Sequence, residues 1–416
     1  MRVRRNEKCD VLVIGAGCAG FCAAVAAARS GEDVILAERE CMPGGVLTVG
    51  GNNHIHEFNN PFLSENKMII GGIAWELVLR LHSEGWAHIP DMNAECKGKS
   101  VRFGVKVNSL AAATVMDEML AESGVRVMYG TALADIEMQN ERAEAAVFSA
   151  PEGLLRVSAR VIIDATGDGV AAYLAGAEYE IGDENATLQP ATMRVYPSNA
   201  RAELSESSRS LFLYSSLQEG DNINHVIGYD PTTAEGLTDS EKRARALLCD
   251  MQKRLREDNP DFSFLATAPR CGIRESRRIT CDHTLTLAEY ESGSSEGAVC
   301  YSFWYVDIHN EGKGVHKILD SGITPKIPYA SLAVKGIENM LVAGRCIGAD
   351  REASSALRVK ASCMAIGEAA GTAAAMADNG NVHTVDVSQL RKRLADNGAI
   401  VPDIVPTRSF SDMMAK

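Results

Sequence analysis

Residues 9–45 read CDVLVIGAGCAGFCAAVAAARSGEDVILAERECMPGG, and this stretch decides the fold. Val11-Leu12-Val13-Ile14 is an apolar run without alternation, the pattern of a parallel strand buried on both faces. A turn Gly15-Ala16-Gly17-Cys18-Ala19-Gly20 follows, then an alanine-rich helix to about Ser30 that Gly31 stops. Asp33 to Ala37 reads as a second strand ending in Glu38. The three glycines have separate tasks. Gly15 makes the tight turn, Gly17 lets backbone approach a pyrophosphate, and Gly20 lets helix pack on strand. The free amides of the helix start carry positive partial charge suited to that pyrophosphate. Glu38 lies about 20 residues on, where a carboxylate accepts hydrogen bonds from ribose hydroxyls. Strand, turn, helix, strand and terminal acid together imply a bound dinucleotide.

Working outward, 416 residues are enough for two substantial domains. The net charge of −13 speaks against a nucleic-acid surface, which needs a basic face. The 11 cysteines are odd in number and include no CxxC pair, so zinc ribbons, simple iron–sulfur sites and thioredoxin-type dithiols lack their signature. No metal site is expected. Cys18 and Cys22 suit packing within the first turn and helix. The start, MRVRRNEKCD, has no apolar core for a secretory signal, and no apolar run is long enough for a membrane span. A cytoplasmic protein is the expectation.

Downstream, Arg39 to Gly51 is a glycine-rich loop containing Gly44-Gly45, followed by His54 and His56. The two histidines suit either substrate contacts or a polar lid. Helices are predicted over Ile73–Glu84 and Asn108–Glu122, a strand over Val125–Tyr129, and hairpin strands over about 132–158. Val161 to Asp164 is an apolar strand running into the small turn Ala165-Thr166-Gly167-Asp168. From about Tyr179 to Lys335 the pattern changes. Short β-like runs (Ala191–Tyr196, Asn224–Tyr229, Arg278–Thr286, Val299–Asp307) surround one amphipathic helix, Ser240–Glu257. Asn339 to Arg345 returns to an apolar strand ending in glycine, and Lys360–Ala377 is a helix of small residues suited to close backbone approach. A short helix, Val387–Asp396, lies in a tail that reads as peripheral. The expected fold is α/β, a Rossmann-like dinucleotide domain over 1–178 and 336–385, with a mixed α+β substrate domain inserted at 179–335 and a tail at 386–416.

With GAGCAG and Glu38, Gly44-Gly45, DATGD at 164–168, GIRESRR at 272–278, DIH at 307–309, IPYASL at 327–332 and SSALRVKASCMAIGEAAGTAAA in place, the chain resembles the FAD-dependent oxidoreductases related to the flavoprotein subunits of fumarate reductase and succinate dehydrogenase. The resemblance implies a glutathione-reductase-like FAD fold with flavin at the domain interface. The cofactor residues it implies, together with the motif reading, are Gly15, Ala16, Gly17, Ala19, Gly20, Glu38, Arg39, Gly44, Gly45, Ala165, Thr166, Gly167, Asp168, Gly344, Arg345, Ser355 and Leu357. Val127, on the short strand, is the expected backbone neighbour of the adenine. No histidine matches the covalent attachment site of succinate dehydrogenase, so FAD is expected to be noncovalent. A second GxGxxG is absent, which argues against a built-in nicotinamide domain.

Hydride removal from an alcohol or amine carbon is helped by a base, whereas alkene reduction needs an acid and a clamp for a carboxylate. His309 beside Asp307 is the first candidate for proton transfer. Arg274 and Arg277 are further catalytic candidates, in a run with Glu275 and Arg278. At strand alternation Arg274 and Arg278 share a face with Ser276 between them. The same run also suits an internal ion-pair network, and Arg358 suits either the site or a helix-start salt bridge. Oxidation at CH–OH or CH–NH of a small polar molecule is the favoured reaction. Alkene reduction, RNA modification and a pure electron-transfer subunit are the alternatives. An electron donor or acceptor and a homo-oligomer remain open as partners.

Overall fold

The computed structural model describes residues 2–60, 68–90, 104–197, 225–258, 260–309, 315–319 and 322–404. Asn224, in one expected strand, and residues 405–416 of the tail lie outside them. The main sheet has seven strands: β1 (Val3–Ile14), β2 (Val34–Ala37), β3 (Arg126–Met128), β4 (Ala132–Gln139), β5 (Arg142–Ala150), β6 (Gly153–Asp164) and β7 (Met340–Val342). Their order is β3-β2-β1-β6-β5-β4, with β7 also paired to β6. β1 is longer than its apolar run because residues 154–158 of β6 take residues 3–8 as their neighbour. Those added β1 residues are exposed or half-buried, so no apolar pattern announces them.

The register has one consequence for function. Ile14 is level with Ala37 on one side and Asp164 on the other, and Val342 is level with Asp164. The pairs β1–β2, β1–β6 and β6–β7 are all parallel. Four strands separated in sequence therefore end at one edge of the sheet, the place where open α/β sheets bind ligands.

Helix α1 (Cys18–Arg29) covers β1 and β2, and α3 (Lys360–Met376) lies against α1. Gly367 and Gly371 of α3 face the carbonyl oxygens of Ala19 and Ala23, where a Cβ would stand 2.0 and 2.1 Å from them. The expected close backbone approach is thus between these two helices. Before α3 comes α2 (Arg351–Leu357), capped by the Asp350 carboxylate, which accepts from Ala353 N at 2.8 Å.

Between residues 179 and 335 the strands are short antiparallel pairs. Ala191–Thr192 pairs with His225–Val226, and Val306–Ile308 pairs with Val315–Lys317. The expected strand over Val299–Asp307 is two, Ala298–Tyr301 and Val306–Ile308, and the expected helix lengthens to Ala234–Asp258. Apolar packing divides this region. Ala191, Met193, Val195, Val226, Tyr229, Ala244, Leu248 and Cys271 form a small core of their own. Ile279, Tyr290, Phe303, Ile327 and Leu332 instead join the main core. The tail helix Val387–Asp396 is not peripheral: Leu390 and Leu394 are buried in that same core, four residues apart on one helix face. Among the described residues, no helix is long and apolar enough to cross a membrane.

One buried acid in this framework gives a pH signature. Glu368 of α3 is 3% exposed and accepts from Ile73 N at 3.1 Å, at the start of helix Gly72–Ser83. Burial raises its carboxyl to about 8. The native state keeps this proton where the unfolded chain has lost it. The group's contribution is therefore complete below about pH 4.5 and is lost as pH rises to about 8. Glu368→Gln is expected to flatten the fall in unfolding free energy over that window by up to ~1.4 kcal/mol per pH unit. Chemical denaturation at several pH values reads this, and a variant with the unaltered slope refutes it.

Candidate functional site

The strand ends open into a cavity of about 1110 Å³. At its floor the turn after β1 is constrained by backbone contact. Gly15 has φ +97°, and a Cβ there would stand 2.7 Å from Ala165 O. A Cβ on Gly20 would stand 1.8 Å from Gly15 O. Gly17 has open space where its Cβ would be and heads α1 without a side-chain cap. Gly17, Cys18 and Ala19, at this helix start, line the cavity.

Around this turn, Glu38 accepts from Ala16 N at 2.6 Å and Glu40 N at 2.9 Å. Gly44 N donates to Ala16 O at 2.7 Å, which folds the glycine loop against the turn. Asp164 accepts from Thr166 N, Thr166 Oγ1 and Ala172 N at 3.0, 2.7 and 3.0 Å and so shapes the 165–168 turn. Asp168 is paired with Arg345 and accepts from Ser276 Oγ at 2.8 Å. Burial alone would raise its carboxyl, but Arg345, Arg39 and Ser276 together hold it below the usual range.

Further along the cavity, Asp307 stands between two imidazoles. His309 Nε2 lies 3.2 Å and His316 Nδ1 3.0 Å from Asp307 Oδ1. Burial would raise the Asp307 carboxyl, but the His309 hydrogen bond and the charges of Arg358, His309 and His316 hold it at about 2. Arg358 donates to Asp307 O at 2.9 Å and to Gln189 Oε1 at 3.2 Å, and Gln189 Oε1 also accepts from His309 N at 3.2 Å. His225 packs edge-on against His309, with ring centroids 5.3 Å apart. Burial, then Arg274 and His309, lowers His225 to about 3, so its ring is neutral at physiological pH.

Of the residues expected at the site, Gly15, Gly17, Ala19, Glu38, Arg39, Gly45, Ala165, Thr166, Gly167, Asp168, Gly344, Arg345 and Ser355 line the cavity, as do Arg274, Asp307 and His309. Ala16, Gly20 and Gly44 act one layer behind, through the contacts just given. Leu357 is fully buried in the core, away from the cavity. Val127 is not on the cavity wall; Thr131, Ala132 and Leu133 line that end.

The arginine run divides three ways. Arg274 faces the cavity, donating to Pro190 O at 2.8 Å and Thr192 Oγ1 at 2.5 Å. Arg277, expected to be catalytic, turns away: its guanidinium lies 4.1 Å from the Tyr173 ring centroid and donates to Asp168 O. Arg278 does not share a face with Arg274. It joins Glu275 at 3.0 Å, and Glu275 also takes Arg351 at 2.9 Å, the internal ion-pair network. Strand alternation misleads here because the strand is only Arg277–Ile279. His56 lines the cavity beside Trp304, whereas His54 is behind it, lowered to about 3 by burial and then His56. The sequence reading missed His225, His316, Arg194 and Lys360, all on the cavity wall. Lys360 alone had a usable signal, two residues beyond Arg358 at a helix start.

An uncapped helix start, a glycine with open space and a carboxylate at the next strand end form a cradle for a phosphodiester joined to a ribose, and they fit FAD. No curated protein matches the chain. Among solved structures it is similar to THI4 of Thermovibrio ammonificans at 18% identity, covering 42% of this chain and 65% of that one with TM-score 0.30. A geranylgeranyl bacteriochlorophyll reductase-like protein of Thermoplasma acidophilum is 13% identical over 99% of this chain and 96% of that one, TM-score 0.45. The myxobacterial chondrochloren halogenase is 15% identical over 94% and 79%, TM-score 0.44. The chain thus spans less than two thirds of the THI4 structure's length, and scores this low carry no argument about substrate. The family described as FAD dependent oxidoreductase matches residues 10–216 and 194–394, nearly the whole chain. The chain belongs to the FAD-dependent oxidoreductase family and is an FAD-dependent enzyme.

Proposed function

We propose that the enzyme transfers a hydride between FAD and a small polar organic substrate, with oxidation at a CH–OH or CH–NH carbon as its direction. The observation that carries this reading is the Asp307–His309–His316 group in the wall of the cavity into which the strand ends open. FAD, when bound, supplies the hydride chemistry. The protein's part is position, charge and a proton route.

Gly15, Gly17, Ala19 and the first amides of α1 would hold the pyrophosphate, with Glu38 at the ribose hydroxyls. Thr131 to Leu133, in place of Val127, would lie beside the adenine. Ala165 to Asp168, Gly344, Arg345 and Ser355 would bracket the remainder. His309 then takes the hydroxyl or amine proton of the substrate. Asp307, ionised at neutral pH, fixes the imidazole's orientation and offsets the charge it gains. The separately packed unit between residues 191 and 271 contributes Thr192, Arg194, His225 and part of the substrate wall.

Reduction of an activated alkene would use the same residues with His309 as proton donor. The motifs at 272–278 and 307–309, which resemble the fumarate reductase branch, favour keeping that second reading. Anaerobic mixing tests both. Bleaching of the flavin by alcohols, α-hydroxy acids or amines supports oxidation. Recolouring of the chemically reduced enzyme by unsaturated acids, without bleaching by any donor, replaces it with the reductase. No response to either class, together with a tightly copurifying redox protein, overturns both in favour of electron transfer.

A further inference from the structure

Two cations on the cavity wall have no counter-charge among the described residues. Among the described residues, the Arg194 guanidinium and the Lys360 ammonium make no hydrogen bond and no ion pair. Lys360 is the first residue of α3, is 5% exposed, and still borders the cavity. Val359 caps that helix with no side-chain hydrogen bond, so helix start and ammonium present positive charge to the same space. Arg274 stands beside them, bonded only to neutral acceptors (Pro190 O, Thr192 Oγ1 and His225 Nε2).

These groups work against one another. Burial and then Arg358 and Arg194 lower Arg274 to about 9. Burial lowers Lys360 to about 8, and the further cations Arg194 and Arg358 oppose its charge. Asp307 is already engaged by His309, His316 and Arg358. Burying a cation without a partner is unfavourable, and a ligand that brings the missing negative charge relieves that cost.

We propose that Arg194 and Lys360, with Arg274, form an anion subsite that takes a carboxylate of the substrate, making the substrate a small organic acid. This rests on the hydride-transfer reading above and narrows it. The carboxylate is held by the cations while the carbon that reacts lies toward His309 and Asp307. Arg194 lies between Met193 and Val195 of the small separate core, and Lys360 beside Ala361 of the main core, so a bound carboxylate bridges the two.

The test uses the full-length, FAD-loaded enzyme titrated with acetate, glycolate and succinate, and with acetamide, glycolamide and succinamide as uncharged counterparts, at constant ionic strength. Flavin absorbance and the thermal midpoint are read together. The acids are expected to give saturable spectral changes and a raised midpoint, and the amides neither. Arg194→Gln and Lys360→Gln are each expected to weaken acid binding about 10- to 100-fold with FAD content retained, and Lys360→Arg to restore part of it. Equal binding of acids and amides overturns the proposal, as does unaltered acid affinity in both variants. Acids that bind only the FAD-free chain and are expelled by FAD also overturn it, by assigning the cations to the cofactor. If acids bind as expected but no donor or acceptor ever changes the flavin's redox state, the subsite stands and the hydride-transfer reading fails.

Discussion

Gly367→Val is expected to strip most of the FAD from the purified enzyme, at least about tenfold relative to the unsubstituted chain. The reason lies in two backbones with no room between them. A Cβ at Gly367 would be 2.0 Å from the carbonyl oxygen of Ala19, and one at Gly371 would be 2.1 Å from that of Ala23. Neither partner is a side chain that can rotate aside. Both are helix carbonyls, so any added atom must move α1 relative to α3. Overpacking of this kind typically costs about 1–3 kcal/mol, and more where the neighbour cannot yield. The displacement also acts on function, because α1 starts at Cys18 and its first residues, with no side-chain cap, line the cavity. A shifted α1 pulls those residues, and Gly15 and Gly17 with them, out of register with Glu38 and the 165–168 turn. Flavin content by absorbance and the thermal midpoint report the two effects. A Gly367→Val enzyme with normal FAD content and normal midpoint would sink the claim that this contact sets the cradle.

The same contact shows which features are legible in sequence. The places of Gly15, Gly17, Gly20 and Glu38 were readable because each is local, set by a turn, a helix start or the end of the next strand. Gly367 was readable as a small residue in a helix, but its partner, Ala19, was not, since pairing of α1 with α3 is set by the sheet beneath them. Strand lengths failed where tertiary pairing added polar residues, as at Val3 to Lys8 of β1. The tail helix was misjudged although Leu390 and Leu394 carried the signal of a buried face.

At the site, Asp307 and His309 share one strand end and could be paired from spacing. His225 and His316 come from two other strands, and nothing in their own surroundings marks them. Arg277 misled because a short strand does not sustain alternation, and the cation went to Tyr173 instead. Arg194 and Lys360 were least visible of all. Their significance is the lack of a partner among the described residues, a property of the folded arrangement and not of either residue's own sequence surroundings.

His309→Gln is expected to leave FAD content intact while slowing substrate-driven flavin reduction by about 10²- to 10⁴-fold. His309 is held on three sides, which is why its loss should act on proton transfer and not on assembly. Its Nε2 lies 3.2 Å from Asp307 Oδ1, its backbone amide donates to Gln189 Oε1 at 3.2 Å, and the His225 ring packs edge-on against it. The backbone anchor survives the substitution, and glutamine keeps a polar group near Asp307 without a titrating one. His225 cannot substitute, because burial and then Arg274 hold its ring neutral down to about pH 3 and its Nε2 is engaged with Arg274 at 3.2 Å. Asp307→Asn should slow the same step less, since it removes the charge that supports a protonated imidazole but not the imidazole itself. Rapid mixing under anaerobic conditions separates flavin reduction from substrate binding, so the loss should appear in the limiting rate of reduction and not in binding. A His309→Gln enzyme that reduces its flavin at near the normal rate removes His309 from the mechanism. The proton would then have to leave through another group on the cavity wall, and Lys360, lowered to about 8 by burial and bordering the same space, is the next to substitute.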